Sequence, residues 1–121
     1  MSLFRKTLGD LGEIATKKEM EKRGFHLLEK NFFIRGGEID LIMEGQGKII
    51  FLEVKTRTGD AFGTPLESIT AAKKKHLMHT ARVYLHQKNL DDADVAFWAS
   101  AVYADAKGNI KKVEIYEDLF I

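Results

Sequence analysis

Two stretches of this sequence carry side chains that can do chemistry together: Gly37-Glu38-Ile39-Asp40-Leu41-Ile42 and Phe51-Leu52-Glu53-Val54-Lys55. Both read as β-strands, Glu38 to Glu44 and Lys48 to Thr56, joined through Gly45-Gln46-Gly47 as a hairpin. Strand side chains alternate, so Glu38, Asp40 and Ile42 share one face, as do Phe51, Glu53 and Lys55. The other faces carry Ile39, Leu41, Met43 and Ile50, Leu52, Val54, all apolar and expected to pack on the core. Register decides whether the acids meet. A connection spanning Gly45 to Lys48 sets Asp40 directly opposite Glu53, with Cβ atoms roughly 5 Å apart. A two-residue connection, Gly45-Gln46, leaves them diagonal on one face, and an odd one puts them on opposite faces.

Acids inside strands need partners, because carboxylates are poor strand formers and resist burial unpaired. A bound Mg²⁺ would match them, since it takes a few carboxylate oxygens plus waters. Lys55 would then stand beside the metal, able to orient or deprotonate a water or to neutralise a phosphate. Those parts suit phosphodiester hydrolysis. The same spacing also fits a plain salt-bridge network of Asp40, Glu53 and Lys55 on a half-exposed sheet face, and spacing by itself does not choose between the two.

The elements that must hold these residues follow from periodicity and breakers. A helix is expected over about Gly9 to Arg23, with Leu8, Leu11, Ile14 and Ala15 as its apolar stripe and Gly24 just past its end. Phe25 to Phe33 reads as a strand, and Arg35-Gly36-Gly37 as a turn or bulge. Arg57 to Ser68 reads as loop. Thr70 is the expected N-cap of a second helix, about Ala71 to Gln87, with Leu77, Met78, Ala81, Tyr84 and Leu85 on its apolar face. Asp94 to Tyr103 reads as a strand buried on both faces, and Ile110 to Tyr116 as a last strand. The order α-β-β-β-α-β-β predicts an α/β fold with a central mixed sheet flanked by helices.

Composition narrows the function classes. The 121 residues are the length of one domain, without repeats or low-complexity linkers. There is no cysteine, so disulfides and thiolate metal sites are excluded and a metal must use oxygen or imidazole. No apolar run is long enough for a membrane span, and Met1 to Asp10 lacks a signal peptide's apolar region, so a cytoplasmic protein is expected. The net charge is only +1, which predicts a local basic patch rather than a generally DNA-coating surface.

Several residues outside the strands have two readings. Arg35 and Arg57 flank the motif strands and would fit phosphate oxygens, or be ordinary loop charges. Lys73-Lys74-Lys75 with His76, His79 and Arg82 would contact nucleic acid, or form a solvated helix face. By angle, Lys74 falls on the apolar face of its helix and would point toward Asp40. His76 and His79 lack a third ligand at sensible spacing, so no zinc site is assigned. Glu13 lies nearly opposite the apolar stripe of its helix and reads by itself as solvated. Phe97 and Trp98 read as core or interface rather than a base-stacking platform.

Asp40 followed by Glu53-Val54-Lys55 resembles the core motif of the PD-(D/E)XK nuclease superfamily. The wider chain resembles one branch of it, the YraN-like family of uncharacterised bacterial proteins, which is similar to archaeal Holliday-junction resolvases. The matching pieces are Gly12-Glu13, Ala15, Gly24-Phe25, Asn31, Gly36 through Ile42, Glu53 through Arg57, Phe62-Gly63 and Lys73. The resemblance implies a three-layer restriction-endonuclease-like fold filling residues 1–121. It implies Asp40 and Glu53 as metal ligands, with the Val54 carbonyl as third oxygen and Mg²⁺ or Mn²⁺ as the ion. Lys55 would activate water, Glu13 would stand near the metal, and Glu38 would be an auxiliary acid or a partner to Lys55. The activity implied is cleavage of DNA, with branched or irregular DNA as the substrate class, and a homodimer would match a two-fold substrate. Two departures stand out: Lys74 where relatives often have glutamine, and Ala96-Phe97-Trp98 where they often have Arg-Phe-Asp. They leave open a nucleic-acid-binding or protein-interaction module that keeps the fold without cutting, or a structural partner docking through an apolar edge strand near Trp98.

Overall fold

The computed structural model of the chain describes residues 3–59 and 69–119. Helix α1 (Leu3–Lys22) is followed by strands β1 (His26–Ile34), β2 (Gly37–Gly45) and β3 (Lys48–Thr58). Helix α2 (Ala71–Gln87) and strands β4 (Val95–Ala104) and β5 (Ile110–Tyr116) complete the order α-β-β-β-α-β-β. The strands form one five-stranded sheet in sequence order, with β3 and β4 parallel and the other neighbours antiparallel. The single parallel pair is the one whose connection runs through α2, as a crossover requires.

Local chemistry sets the boundaries. Gly24, at φ +96, ends α1 in a Schellman motif: the Gly24 N–H donates to the Glu21 carbonyl and the Phe25 N–H to the Met20 carbonyl. Gln46 and Gly47 both have positive φ, the requirement of a tight hairpin turn, and Gly45 pairs with Lys48. Thr70 caps α2, its hydroxyl accepting from the Lys73 N–H. Residues 60–68 of the expected long loop, with Phe62, Gly63 and Pro65, lie outside the described residues. Arg57 and Thr58, expected at its start, instead continue β3, because β4 runs on beside them and pairs Arg57 with Tyr103 and Thr58 with Ala104.

Both sheet faces are covered, which gives the expected three layers. On one side α2 packs Leu77, Ala81, Tyr84 and Leu85 against Ile42, Ile49 and Phe51. On the other side Met20 of α1 and Phe25 pack against Leu41, Met43, Ile50, Leu52 and Trp98. On the acid-bearing face Ile42 and Phe51 are fully buried, because α2 closes over them. Expected helix stripes shift in detail. Leu8 is buried as expected, but Leu11 and Ile14 are 37% and 49% exposed, and α1 buries Gly12, Thr16 and Met20 instead. The reason is close approach: a Cβ on Gly12 would sit 1.9 Å from the Thr56 hydroxyl of β3, so the small-residue face is the one that can lie on the sheet. Met78 of α2 is likewise exposed, and Thr80 takes its place against Gly37. Strand β4 is interior and Trp98 is buried in the α1-side cluster, so an apolar edge at Trp98 does not exist. Phe97 stacks on Phe51 at 5.4 Å, a core contact.

Candidate metal centre

The register of β2 on β3 is the one that aims Asp40 at Glu53. Leu41 pairs with Leu52, Ile42 with Phe51 and Met43 with Ile50, so the next step would pair Asp40 with Glu53. The ladder stops one residue short. There the Asp40 carboxylate takes the ladder's place, its Oδ2 accepting the Val54 N–H at 2.7 Å. Strict alternation fails at the same point. Ile39 packs in the α2-side cluster with Ile42, whereas Leu41 and Met43 face α1. The cause lies on both neighbours of β2: the β3 ladder has ended, and Asn31 of β1, at φ +52, drops out of pairing beside position 40. A strand released on both sides is free to rotate, and this one turns Asp40 into the opening.

Electrostatics mark the opening as short of positive charge. Burial and the charge of Glu53 push the Asp40 carboxyl up to about 7, against the pull of the Val54 hydrogen bond, and Glu13 and Glu38 add to the rise. Glu13, half-buried on α1, is raised by burial and by Asp10 and Glu38, while Lys30 and a hydrogen bond from the Asn31 side chain hold it down. Lys55 pairs with Glu53, Nζ to Oε1 at 3.2 Å, rather than with Glu38. Four acids expected from the sequence therefore come together, with one lysine paired inside the group.

Around this core the other expected residues scatter. A cleft of about 160 Å³ beside Glu53 is lined by Gly37, Glu38, Ile69, Lys73, His76 and Leu77. Lys73, expected as a nucleic-acid contact, lines the cleft with Glu38 and Glu53 from the first turn of α2, and Lys74 beside it is half-buried. Arg35 is exposed on the β1–β2 turn, next to Glu38's end of the hairpin. Arg57 is half-buried at the end of β3, its guanidinium donating to the Thr56 carbonyl at 3.1 Å.

Sequence reasoning gave His76 no place near the acids and Asn31 no role. His76 sits three residues after Lys73, a spacing that puts both on one helix face. Asn31 was legible as one of the few residue types that tolerate the left-handed conformation inside a strand.

The donor set fits a hard divalent cation. Asp40 and Glu53 offer carboxylate oxygens on adjacent strands, the Val54 backbone lies against Asp40, and the unmatched negative charge is what such an ion would neutralise. Among the described residues no three His, Asp or Glu side chains already close on one point.

Residues 12–102 match the model of the family described as Uncharacterised protein family UPF0102. The chain belongs to this family. It is 38% identical over 120 residues to a UPF0102 protein of Pelotomaculum thermopropionicum, covering 99% of this chain and all of that one. It is 41% identical over 97 residues, 80% of each chain, to a UPF0102 protein of Clostridium perfringens. A UPF0102 protein of Moorella thermoacetica is 32% identical over 120 residues. The family match takes in Glu13, Glu38, Asp40, Glu53, Lys55 and Lys73, and it ends in β4, before β5 begins. No helix among the described residues is long and apolar enough to cross a membrane.

Proposed function

We propose that this UPF0102 family member is a Mg²⁺- or Mn²⁺-dependent endonuclease that hydrolyses phosphodiester bonds in DNA. The observation that carries the reading is Asp40: a half-buried carboxyl pushed up to about 7 beside Glu53, at the one place where β2 and β3 part. Of the acids, Glu53 has Lys55 as its counter-ion, whereas the Asp40 carboxyl, raised by burial and by Glu53, has only the Val54 N–H, and a bound cation would compensate it.

Asp40, Glu53 and the Val54 carbonyl would hold the ion. When bound, such an ion neutralises charge on a phosphoryl oxygen and makes a coordinated water more acidic. Lys55 Nζ, fixed by Glu53 Oε1, is placed to hold the attacking water or a non-bridging phosphate oxygen. The water oxygen bonds to phosphorus, the ester P–O bond breaks, and the leaving oxygen takes up a proton. Glu13, steadied by Asn31, and Glu38 keep the surroundings negative and would hold waters in the outer shell. Lys73, Arg35 and Arg57 would bind flanking phosphates; Lys74 would add general positive charge.

The second reading, a binding module that does not cut, draws on the two contacts that already occupy the acids, Asp40 to the Val54 N–H and Glu53 to Lys55. One experiment separates the two. Labelled linear, flapped, single-stranded and four-way-junction DNAs are incubated with wild type or Asp40→Ala, at low salt with Mg²⁺ or Mn²⁺. Cleavage by wild type alone is expected. Binding that ignores both the metal and Asp40, with no cutting of any substrate, would establish the second reading instead.

A further inference from the structure

The sheet face that carries Glu53 and Lys55 continues across β4 to β5, and its residues line up in rows. In-register pairing puts Glu53 beside Ala99 and Tyr116, Lys55 beside Ala101 and Glu114, and Arg57 beside Tyr103 and Lys112. Helix α1 lies on the opposite face, where Thr16 meets Ser100 and Ile115 packs with Trp98. Helix α2 packs chiefly on β2, toward the other end of the sheet. The last row therefore reads basic, aromatic, basic, at the carboxyl ends of the two parallel strands, where open α/β sheets bind ligands. It lies about 13 Å along β3 from Glu53, at roughly 3.3 Å per residue. Its width, across three strands about 4.8 Å apart, is about 10 Å.

Lys112 is exposed, Arg57 and Tyr103 are half-buried, and the charges are already arranged. The Lys112 side chain is 61% exposed, and its Nζ stands 5.7 Å from the centre of the Tyr103 ring. Glu114, the acid nearest to it, pairs with Lys112 and accepts from the Tyr116 hydroxyl, so the Tyr116 hydroxyl stays its partner when Lys112 turns to a phosphate. The row between this one and Glu53 is Lys55, Ala101 and Glu114, and Ala101 lies buried beneath its neighbours.

We propose that Arg57, Tyr103 and Lys112 form a binding row for an unpaired polynucleotide strand leading to the metal centre. This inference rests on the nuclease reading and names the form of substrate that centre receives. Arg57 and Lys112 hold successive phosphates, and Tyr103 stacks on the base between them. An exposed cation–π contact is weaker than a base–aromatic stack, so Lys112 yields the ring face to a base and turns to its phosphate. A duplex cannot use the row in this way, because its bases are already stacked on one another. The chemistry is common to unpaired DNA and RNA, and the 2′-hydroxyl plays no part in it.

The test reads binding rather than cleavage. Fluorescence anisotropy is recorded in EDTA with labelled oligo-dT, oligo-U and a blunt DNA duplex, for wild type, Tyr103→Leu, Tyr103→Phe and Lys112→Gln. Wild type is expected to prefer the single strands. Tyr103→Leu loses about tenfold on single strands with little change on duplex, a magnitude typical of one stacked base. Tyr103→Phe binds as wild type, and Lys112→Gln lowers the salt slope on single strands by about 0.7. Because Lys112 is exposed, its variant decides the matter even if Tyr103→Leu does not fold. A Lys112→Gln protein with an unchanged salt slope, a folded Tyr103→Leu that loses single strand and duplex equally, or no single-strand binding by wild type would each overturn the proposal. A protein that binds single strands through this row yet cuts nothing with Mg²⁺ or Mn²⁺ would retire the nuclease reading and leave the row standing.

Discussion

At the scale of single residues, Asp40 sets the terms. Its carboxyl is held at about 7, well above its ordinary 3.8, chiefly by burial and by Glu53. The folded protein therefore holds a proton that the unfolded chain releases between about pH 4 and 7. For this group, stability of the metal-free protein is greatest below that window and falls as pH rises through it. Asp40→Asn keeps an oxygen for the Val54 N–H and removes the charge. It should stabilise the metal-free protein at pH 8 by roughly 1–2 kcal/mol, after discounting for the solvent that still reaches the side chain. Urea unfolding in EDTA at pH 8 and pH 4 measures this; an equal or lower stability of the variant at pH 8 would contradict the account. Lys55 has a different signature. Lys55→Gln should cut the rate by on the order of 10²–10⁴. Its metal affinity by calorimetry should hold or rise, because the acids lose their internal cation. A parallel collapse of metal binding would make Lys55 a structural partner of Glu53 and nothing more.

At the scale of elements, both helices reach the sheet through a glycine meeting a threonine. A Cβ on Gly12 would meet the Thr56 hydroxyl at 1.9 Å, and one on Gly37 would meet the Thr80 hydroxyl at the same distance. The first contact is what brings Glu13 down beside Asp40. Gly12→Ala is expected to destabilise by about 1–3 kcal/mol through overpacking. Thr56→Ala should be close to neutral alone, since the Thr56 hydroxyl is buried without a hydrogen-bond partner. Combined, the two should recover most of the loss, as coupling between touching residues requires. A double-mutant cycle on thermal melts checks this; simple additivity would mean that α1 is held elsewhere. The second contact matters for the cleft, because it sets Lys73 and His76 over Glu38 and Glu53.

At the scale of the whole molecule, the metal and the fold are linked. An ion gripped by β2 and β3 binds the native state alone, so saturating Mg²⁺ or Mn²⁺ adds stability by mass action, about 2.7 kcal/mol at one hundred times Kd. For a chain of this size that raises Tm on the order of 10 °C. Asp40→Asn should melt at the same temperature with and without metal. Differential scanning calorimetry in EDTA and in millimolar Mn²⁺ reads both, and a wild-type Tm indifferent to metal would count against the centre as drawn. The small net charge of +1 fits a protein that binds through one face of its sheet rather than over its whole surface.

Much of this was legible in the sequence by itself. Although the β2–β3 register stayed open among three connections until the structure paired Gly45 with Lys48, element order, the Gly24 helix end and the Thr70 cap follow from interactions between residues close in the chain. For the same reason Asp40, Glu53 and Lys55 were found as a group: a hairpin is local, and alternation carries its register several residues along. What the tertiary structure decided depends on which distant surfaces meet. Gly12 and Thr16, rather than Leu11 and Ile14, became the buried face of α1, because small residues let a helix approach a sheet and hydropathy does not record that. Lys73 and His76 came to line the cleft because α2 settles on β2 through Leu77 and Thr80. Asp40 turned edgewise into the opening because Asn31 and the end of the β3 ladder release β2 at one point, a break in the pleat that no periodic reading contains. The row of Arg57, Tyr103 and Lys112 exists only because β3 pairs in parallel with β4 across the α2 connection, and pairing between distant segments is what a one-dimensional pattern cannot specify.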